Sequence, residues 1–338
     1  HITSIADGSG GVTLNSPQQI IVFGHYAYIL NNNALEIINI ARPSSPTHVG
    51  SISEVSPKRF SVAGRFAYVT KDNALQIIDI SDPVTPVDKG SISNGDGGAS
   101  LLNPYGIAVS GNYAYVAAYG SNKLEIIDIS NPANPVHKGS ASSTSAYAVY
   151  VKGKYAYVGS WAGTGNLYVY DVSNPASPVL AGSLSDGGSS TPYLSSITSI
   201  SVVGNYAYIT ARDDSALEVV DVSKPRSPSH AGARNNSNQS DSTNLFNPAA
   251  VFVAGKYAYV ATNVLNTMSN GALQIEDITN PTSPVHKGTL TGVEGTIPMA
   301  SPQSVFVSAN YAYVVSQGVA GNGGNVLEII DITGANIS

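Results

Sequence analysis

The chain has no cysteine. That excludes disulfides, thiolate metal sites and cysteine nucleophiles. It is also poor in charge. Only 11% of its 338 residues are Asp, Glu, Lys or Arg, less than half of the usual quarter or so. Solubility therefore rests on Ser, Thr, Asn and Gly, a surface better suited to the outside of a cell than to the cytosol. The net charge is -6 and there is no basic block, which argues against a nucleic-acid partner. No apolar run approaches the roughly eighteen residues that suggest a membrane span. The first residue is His1, with no Met and no signal-peptide pattern after it. A processed chain or a trimmed boundary accounts for that.

What the chain does have is repetition. Gly-x-Tyr-Ala-Tyr recurs almost unchanged seven times, its second aromatic at Tyr28, Tyr68, Tyr115, Tyr157, Tyr208, Tyr259 and Tyr313. Copies 40 to 54 residues apart mean one supersecondary unit built seven times. The third copy shows its parts: Ile107-Ala108-Val109-Ser110, then Tyr113-Ala114-Tyr115-Val116, then Leu124 to Ile129, then Pro135 to Ser140. The first three are rich in Val, Ile and Tyr, and Gly, Asn and Pro bound them, which is the signature of strands. Gly111-Asn112 reads as a two-residue hairpin. The seventh copy has Ala309-Asn310 there, with Asn310 expected in the left-handed conformation. Pro132 and Pro135 end the ladder.

Leu124 and Ile126 oppose Ile127 and Ile129 in parity, so the third strand is apolar on both faces. A four-stranded antiparallel sheet covered on both faces by copies of itself is a propeller blade, and seven close into a ring. The sequence thus predicts one all-β, seven-bladed propeller over 1–338. Its blades cover about 17–53, 57–93, 104–142, 146–185, 197–234, 248–291 and 302–333. The last copy stops at Thr333 with almost nothing left for a fourth strand. His1 to Gly8 resembles the fourth strands ending at Gly95 and Gly187. Residues 1–6 are therefore expected to complete blade seven and latch the ring. The rarer alternative is pairing with a neighbouring subunit.

Leu75-Gln76-Ile77-Ile78-Asp79-Ile80-Ser81-Asp82-Pro83, Leu124 to Pro132 and Leu217 to Pro225 resemble the LVIVD repeat. With Gly-Asn-Tyr-Ala-Tyr-Val, the resemblance spans essentially the whole chain. Blade four departs most, with Leu167-Tyr168-Val169-Tyr170-Asp171. The resemblance implies a bacterial or archaeal cell-surface or secreted propeller and brings no catalytic residues.

Strand alternation puts the links between blades and the loops between second and third strands on one face. There the copies diverge, from Asn31-Asn32-Asn33 to the long loops of blades six and seven, and long loops on a rigid scaffold are where binding concentrates. Neutral drift explains such variation equally well. Counting back from each hairpin places Gln18, Gln19, Lys58, Arg59, Tyr105, Tyr147, Thr198, Ser199 and Gln303 at the channel mouth. Trp161, Tyr119, Tyr193, Arg212, Asp213, Asp214, Phe246 and Glu294 lie in nearby loops. Rings with amides and a few charges suit a sugar, each ring face covering C–H surface. The structural alternative is that the rings cover loops and fill the channel. Of these, Arg59, Tyr105, Tyr119, Tyr147, Trp161, Tyr193 and Arg212 are the candidate ligand-binding residues.

Asp7, Asp96 and Asp186, with Asn94, sit in Gly-rich links and are weak calcium candidates. Turn chemistry explains them better. His48, His137, His230 and His286 fill one outer-strand position in four blades, too far apart to share a metal, and His1 aligns with them. Asp79, Asp128, Asp171, Asp221, Asp277 and Asp331 repeat and so are structural. No nucleophile, haem or metal motif appears, and no cofactor is expected. Asp213, Asp214, Asp241 and Glu294 leave acid-pair glycoside cleavage open. Asn235, Asn238 and Asn336 fit the N-glycosylation pattern. The reading is a non-enzymatic, extracellular structural or adhesive module. Its partners would be other surface proteins, copies of itself or glycans. The alternatives are a glycan-binding module and, behind it, a polysaccharide-cleaving enzyme.

Overall fold

The computed structural model describes residues 1–187, 191–236, 245–263, 271–291, 299–318 and 324–333. Seven four-stranded antiparallel sheets form a seven-bladed propeller. In blade three the strands run Pro104–Ser110, Tyr113–Ala118, Lys123–Asp128 and Val136–Ser142, in that order from the axis outwards. Inner strands of neighbouring blades pack against one another around the channel.

The core consists of seven interfaces between blades. Tyr28, Leu30, Leu35 and Ile37 of blade one, for example, pack on Phe60, Ala67, Val69 and Ile78 of blade two. This is why the second and third strands are apolar at both parities. Each face of a blade is buried against a neighbour, and neither can be polar.

The N-terminal strand Thr3–Ala6 pairs antiparallel with Val326–Asp331 and becomes the outer strand of blade seven. Ile5 joins the cluster that unites blades seven and one. The chain therefore latches its own ring.

Three repeated features locate the turns. Asp79, Asp128, Asp171, Asp221, Asp277 and Asp331 each accept a hydrogen bond from the backbone N–H two residues on. Hydroxyl partners at Ser81, Ser130, Ser223 and Thr333, together with these amides, hold Asp79, Asp128, Asp221 and Asp331 below the usual carboxylate range. The hairpin glycines Gly24, Gly64, Gly111, Gly153, Gly204 and Gly255 all have φ between 57° and 62°. In blade seven it is Ala309 itself that takes this conformation, φ 51°. That corrects the expectation for Asn310: the turn demands a positive φ at its first position whatever residue stands there.

The third feature is contact between blades. A Cβ on Gly50, Gly90, Gly139, Gly182 or Gly232 of an outer strand would stand 2.4 to 2.7 Å from backbone atoms of the next blade's Pro-x-x-Pro turn. Thr3 occupies the register-equivalent place in blade seven: it opposes Ile329 as Gly50 opposes Ile37. A cavity of about 370 Å³ lined by Thr3, Ser44, Ser45 and Pro46 opens at that seam.

Candidate binding site at the channel mouth

Most inner strands enter their sheets through one device, with positive φ in blades one to six. Ser16, Ser56, Asn103, Ser145, Ser196 and Asn247 have positive φ. Two residues later stand Gln18, Lys58, Tyr105, Tyr147, Thr198 and Ala249, and Gln303 holds the same place in blade seven. In blades two to seven the ladder slips at this point, as between Pro57 and Arg59 or between Ala146 and Ala148. Such bulges re-aim a side chain. All seven residues line one open cavity of about 400 Å³ at the end of the channel, joined by Arg59, Trp161, Arg212, Asn247, Asn263 and Gln317.

Arg59, Tyr105, Tyr147, Trp161 and Arg212 form a continuous row. The Arg59 guanidinium lies over the Tyr105 ring at 4.9 Å. Tyr105 stacks on Tyr147 at 3.9 Å, and Tyr147 meets Trp161 at 4.5 Å. Arg212 closes the row 5.3 Å from Trp161. Tyr119 touches Tyr147 edge-on at 6.4 Å. Contacts of these two kinds stabilise by roughly 0.5–1.5 kcal/mol each. Burial alone would raise the Tyr105 hydroxyl, but Arg59, the Tyr147 hydroxyl and Lys58 outweigh it and hold it below the usual phenol range. Burial, with Tyr105 beside it, pushes Tyr147 up.

The row changes the expected chemistry. Its ring faces are spent on one another and on guanidiniums. Stacking of sugar rings on free aromatic faces, the expectation from sequence, does not describe this mouth. What it offers is cations, ring edges and hydroxyls.

The other candidates go elsewhere. Tyr193 does not line the cavity. Its backbone N–H donates to Glu218 Oε2 at 3.2 Å on the way between blades four and five. Gln19 lies deeper in the channel and accepts from Phe60 N at 2.8 Å, tying blade one to blade two. Ser199 is also deeper. Thr198, although it lines the cavity, spends its hydroxyl proton within the wall, near Pro248 O, bridging blades five and six. Asp213 accepts from the Ser196 hydroxyl and Asp214 from Ser195 N. Burial, then Asp186, raises Asp214 to about 6. Phe246 is exposed. Asp241 and Glu294 lie outside the described residues.

The calcium candidates serve turns. Asp7 Oδ1 accepts from Leu14 N, Asp186 Oδ1 from Leu194 N, and Asn94 Oδ1 from Leu101 N, each at 2.8 Å. Asp96 accepts from Ser93 N. No group of three or more acidic or histidine side chains suited to a metal occurs among the described residues. Asn235 ends the outer strand of blade five. Asn238 and Asn336 lie outside the described residues.

The outer-strand histidines have partners that the sequence reading did not identify. His1, His48, His137 and His230 stand 2.6 to 3.0 Å from Glu328, Glu36, Glu125 and Glu218, buried glutamates of the adjacent third strand. In blade six the acid sits two residues on, as Glu276, which meets both His286 and Arg234 at 3.1 Å. Blade two replaces the pair with Gln76 and Asp88, hydrogen-bonded at 3.0 Å. Blade four has Tyr168 and Leu180 in those places. The matched substitutions within one chain were the signal available: each blade keeps a compatible pair.

A profile of the LVIVD repeat matches residues 16–54, 57–94, 105–142, 144–186, 196–235, 249–291 and 301–338. The chain belongs to the LVIVD-repeat family. No curated protein matches this LVIVD-repeat chain in sequence. Among solved structures it is similar in fold to hydrazine synthase of Kuenenia stuttgartiensis, with 16% identity, 97% of each chain covered and a TM-score of 0.68. It is also similar to a functionally unknown protein from Desulfotomaculum acetoxidans, with 14% identity, 95% of this chain and 91% of that one covered, and a TM-score of 0.64. A chain of the mitotic checkpoint complex matches at 10% identity over 97% and 93%, with a TM-score of 0.65. An enzyme and a checkpoint assembly share this architecture, so the LVIVD-repeat fold by itself specifies no activity. No helix among the described residues is long and apolar enough to cross a membrane.

Proposed function

We propose that this protein is a non-enzymatic adhesive module of the cell exterior that binds glycans at the channel mouth. One observation carries the reading: seven equivalent backbone positions direct side chains into a single open cavity edged by amides, cations and a rigid aromatic row. No carboxylate and no histidine lines that cavity among the described residues, which supports binding over acid–base chemistry. The low charge of the chain and its family favour an extracellular setting.

The test is a glycan array with neutral and acidic members, probed with the intact chain and with Tyr147→Ala. Binding that the variant loses supports the proposal. An array without hits refutes it. A second reading, assembly of copies by exchange of residues 1–6, is favoured by the open seam at Thr3. Intact chain that stays monomeric at high concentration refutes that one.

A further inference from the structure

The mouth is chemically divided. Lys58, Arg59 and Arg212 come from blades two and five, with the aromatic row filling the arc between the two arginines. The remaining arc, from blades six, seven and one, supplies amides. In a chain of net charge -6, no carboxylate lines this cavity among the described residues. Among the described residues Lys58 has only a loose exposed partner, Asp72 at 3.5 Å. Neither Arg59 nor Arg212 is in an ion pair among the described residues. Among the described residues Arg59 spends N–H groups on Lys58 O and on the Tyr105 hydroxyl, of the five a guanidinium carries.

The amide arc works in the opposite sense. Gln303 Nε2 donates to Ser301, Gln317 Nε2 to Pro17 O and Gln18 Nε2 to Asn32. With at least one N–H of each held in the wall, these side chains have a carbonyl oxygen left to accept from a ligand's hydroxyls, and Gln18 and Gln317 keep a second N–H as well. Carbonyl oxygens accept from hydroxyl donors and repel carboxylates. A ligand that satisfies both arcs carries anionic groups on one side and hydroxyls on the other. A cavity of about 400 Å³ is within the size of small-ligand sites. The two guanidiniums come from blades two and five and stand at opposite ends of the row, so the ligand that engages both carries more than one acid.

We infer that the mouth takes an acidic oligosaccharide, its carboxylates on Arg59 and Arg212 and its hydroxyls on the amide arc. This rests on the glycan reading above and names the class of glycan.

The experiment is calorimetric titration of the intact chain with three probes at two salt concentrations. The probes are a uronic-acid disaccharide, the neutral hexose disaccharide of the same linkage and a short polyglutamate. The acidic disaccharide is expected to bind at least about tenfold more tightly than the neutral one, with affinity falling as salt rises. Arg59→Gln and Arg212→Gln are each expected to weaken it about tenfold and to leave the neutral sugar within about twofold. Unfolding midpoints are measured on both. If Arg59→Gln fails to fold, Arg212→Gln, on a loop, gives the same reading. Equal or tighter binding of the neutral sugar overturns this inference and leaves the glycan reading standing. No binding of either sugar overturns both. Polyglutamate binding as tightly as the uronate overturns the saccharide assignment.

Discussion

Replacing Gly139 by Ala tests how the ring is held together. A Cβ at this position would stand 2.5 Å from Pro175 O and 2.8 Å from the carbonyl of Ala176. Both belong to the turn that opens the outer part of blade four. That turn is fixed by Ser177 N on Asn174 O at 3.0 Å and by Ala176 N on the Asn174 side chain. No side-chain rotation relieves a clash with backbone, so blades three and four must separate. Overpacking of this kind costs about 1–3 kcal/mol. Relief of glycine's unfolded-state entropy offsets roughly 0.5–1 kcal/mol of it. At about 1.4 °C per kcal/mol for a chain of 338 residues, the net cost of up to about 2.5 kcal/mol should lower the melting temperature by roughly 1–3 °C in calorimetry or circular dichroism. Thr3→Ala is the matched control. It occupies the same register but faces an open seam, so its shift should be under about 1 °C, as for surface changes. A Gly139→Ala variant that melts with the parent, or a Thr3→Ala variant that loses as much, would refute the claim that backbone contact at glycine sets the spacing of blades.

Three further outcomes follow from the geometry. Ala309→Gly should stabilise by about 0.5–1 kcal/mol, because Ala309 sits at φ 51° and a left-handed L-residue costs about 1–2 kcal/mol; an unchanged denaturant midpoint would count against it. Stability should fall as pH rises from about 4.5 to about 7. Burial holds Glu125, Glu218 and Glu328 at about 7, so the folded chain keeps protons that the unfolded chain has released. His137, lowered by burial, works in the opposite sense, but Glu36, Glu54 and Asp214, also raised by burial, add to the first three. The capping aspartates, held below 3.8, lose their contribution as pH falls through their folded values. Melting temperature should therefore peak near pH 4–5, and a steady rise from pH 5 to 7.5 would contradict this. Removing residues 1–6 takes Ile5 from the core between blades seven and one and leaves Glu328 without His1. The truncated chain should melt lower than Gly139→Ala and associate through the bared strand edge, which light scattering would detect.

Blade number, strand order and the latch were legible because each rests on local pattern. Gly-x-Tyr-Ala-Tyr marks a turn and the strand after it, and residues 1–8 carry the pattern of the outer strands that end at Gly95 and Gly187. The mouth was partly legible. Counting back from the hairpins found Arg59, Tyr105, Tyr147 and Gln303, but it could not give depth or azimuth: Gln19 lies beneath the mouth beside Gln18, Arg59 and Gln303, and Tyr193 was grouped with residues it does not join. Asn247, Asn263 and Gln317 were missed. The hidden element was the bulge, which leaves no fixed residue type: Lys58, Tyr147 and Ala249 all occupy it. The His–Glu pairs stayed hidden for a different reason. Glu36 and its equivalents lie within apolar strands, and the one sequence signal tying them to the histidines was the joint change of both members in blade two, to Gln76 and Asp88.

The pattern of sameness among the copies bears on function. Where a side chain packs between blades, the copies agree: Ala27, Ala67, Ala114, Ala156, Ala207, Ala258 and Ala312 are identical and fully buried. At the bulge position the copies read Gln, Lys, Tyr, Tyr, Thr, Ala and Gln around the ring. Absence of packing constraint explains why they differ. It does not explain their order. Drift would scatter cations, rings and amides among the blades. Here the rings fall on adjacent blades, with an arginine at each end of their row and amides on the remaining arc. The aromatic row exists only because its members are neighbours, since a stacking contact of 3.9 Å cannot span an intervening blade. The order, more than the composition, is what supports the proposal that this end of the channel is a binding site.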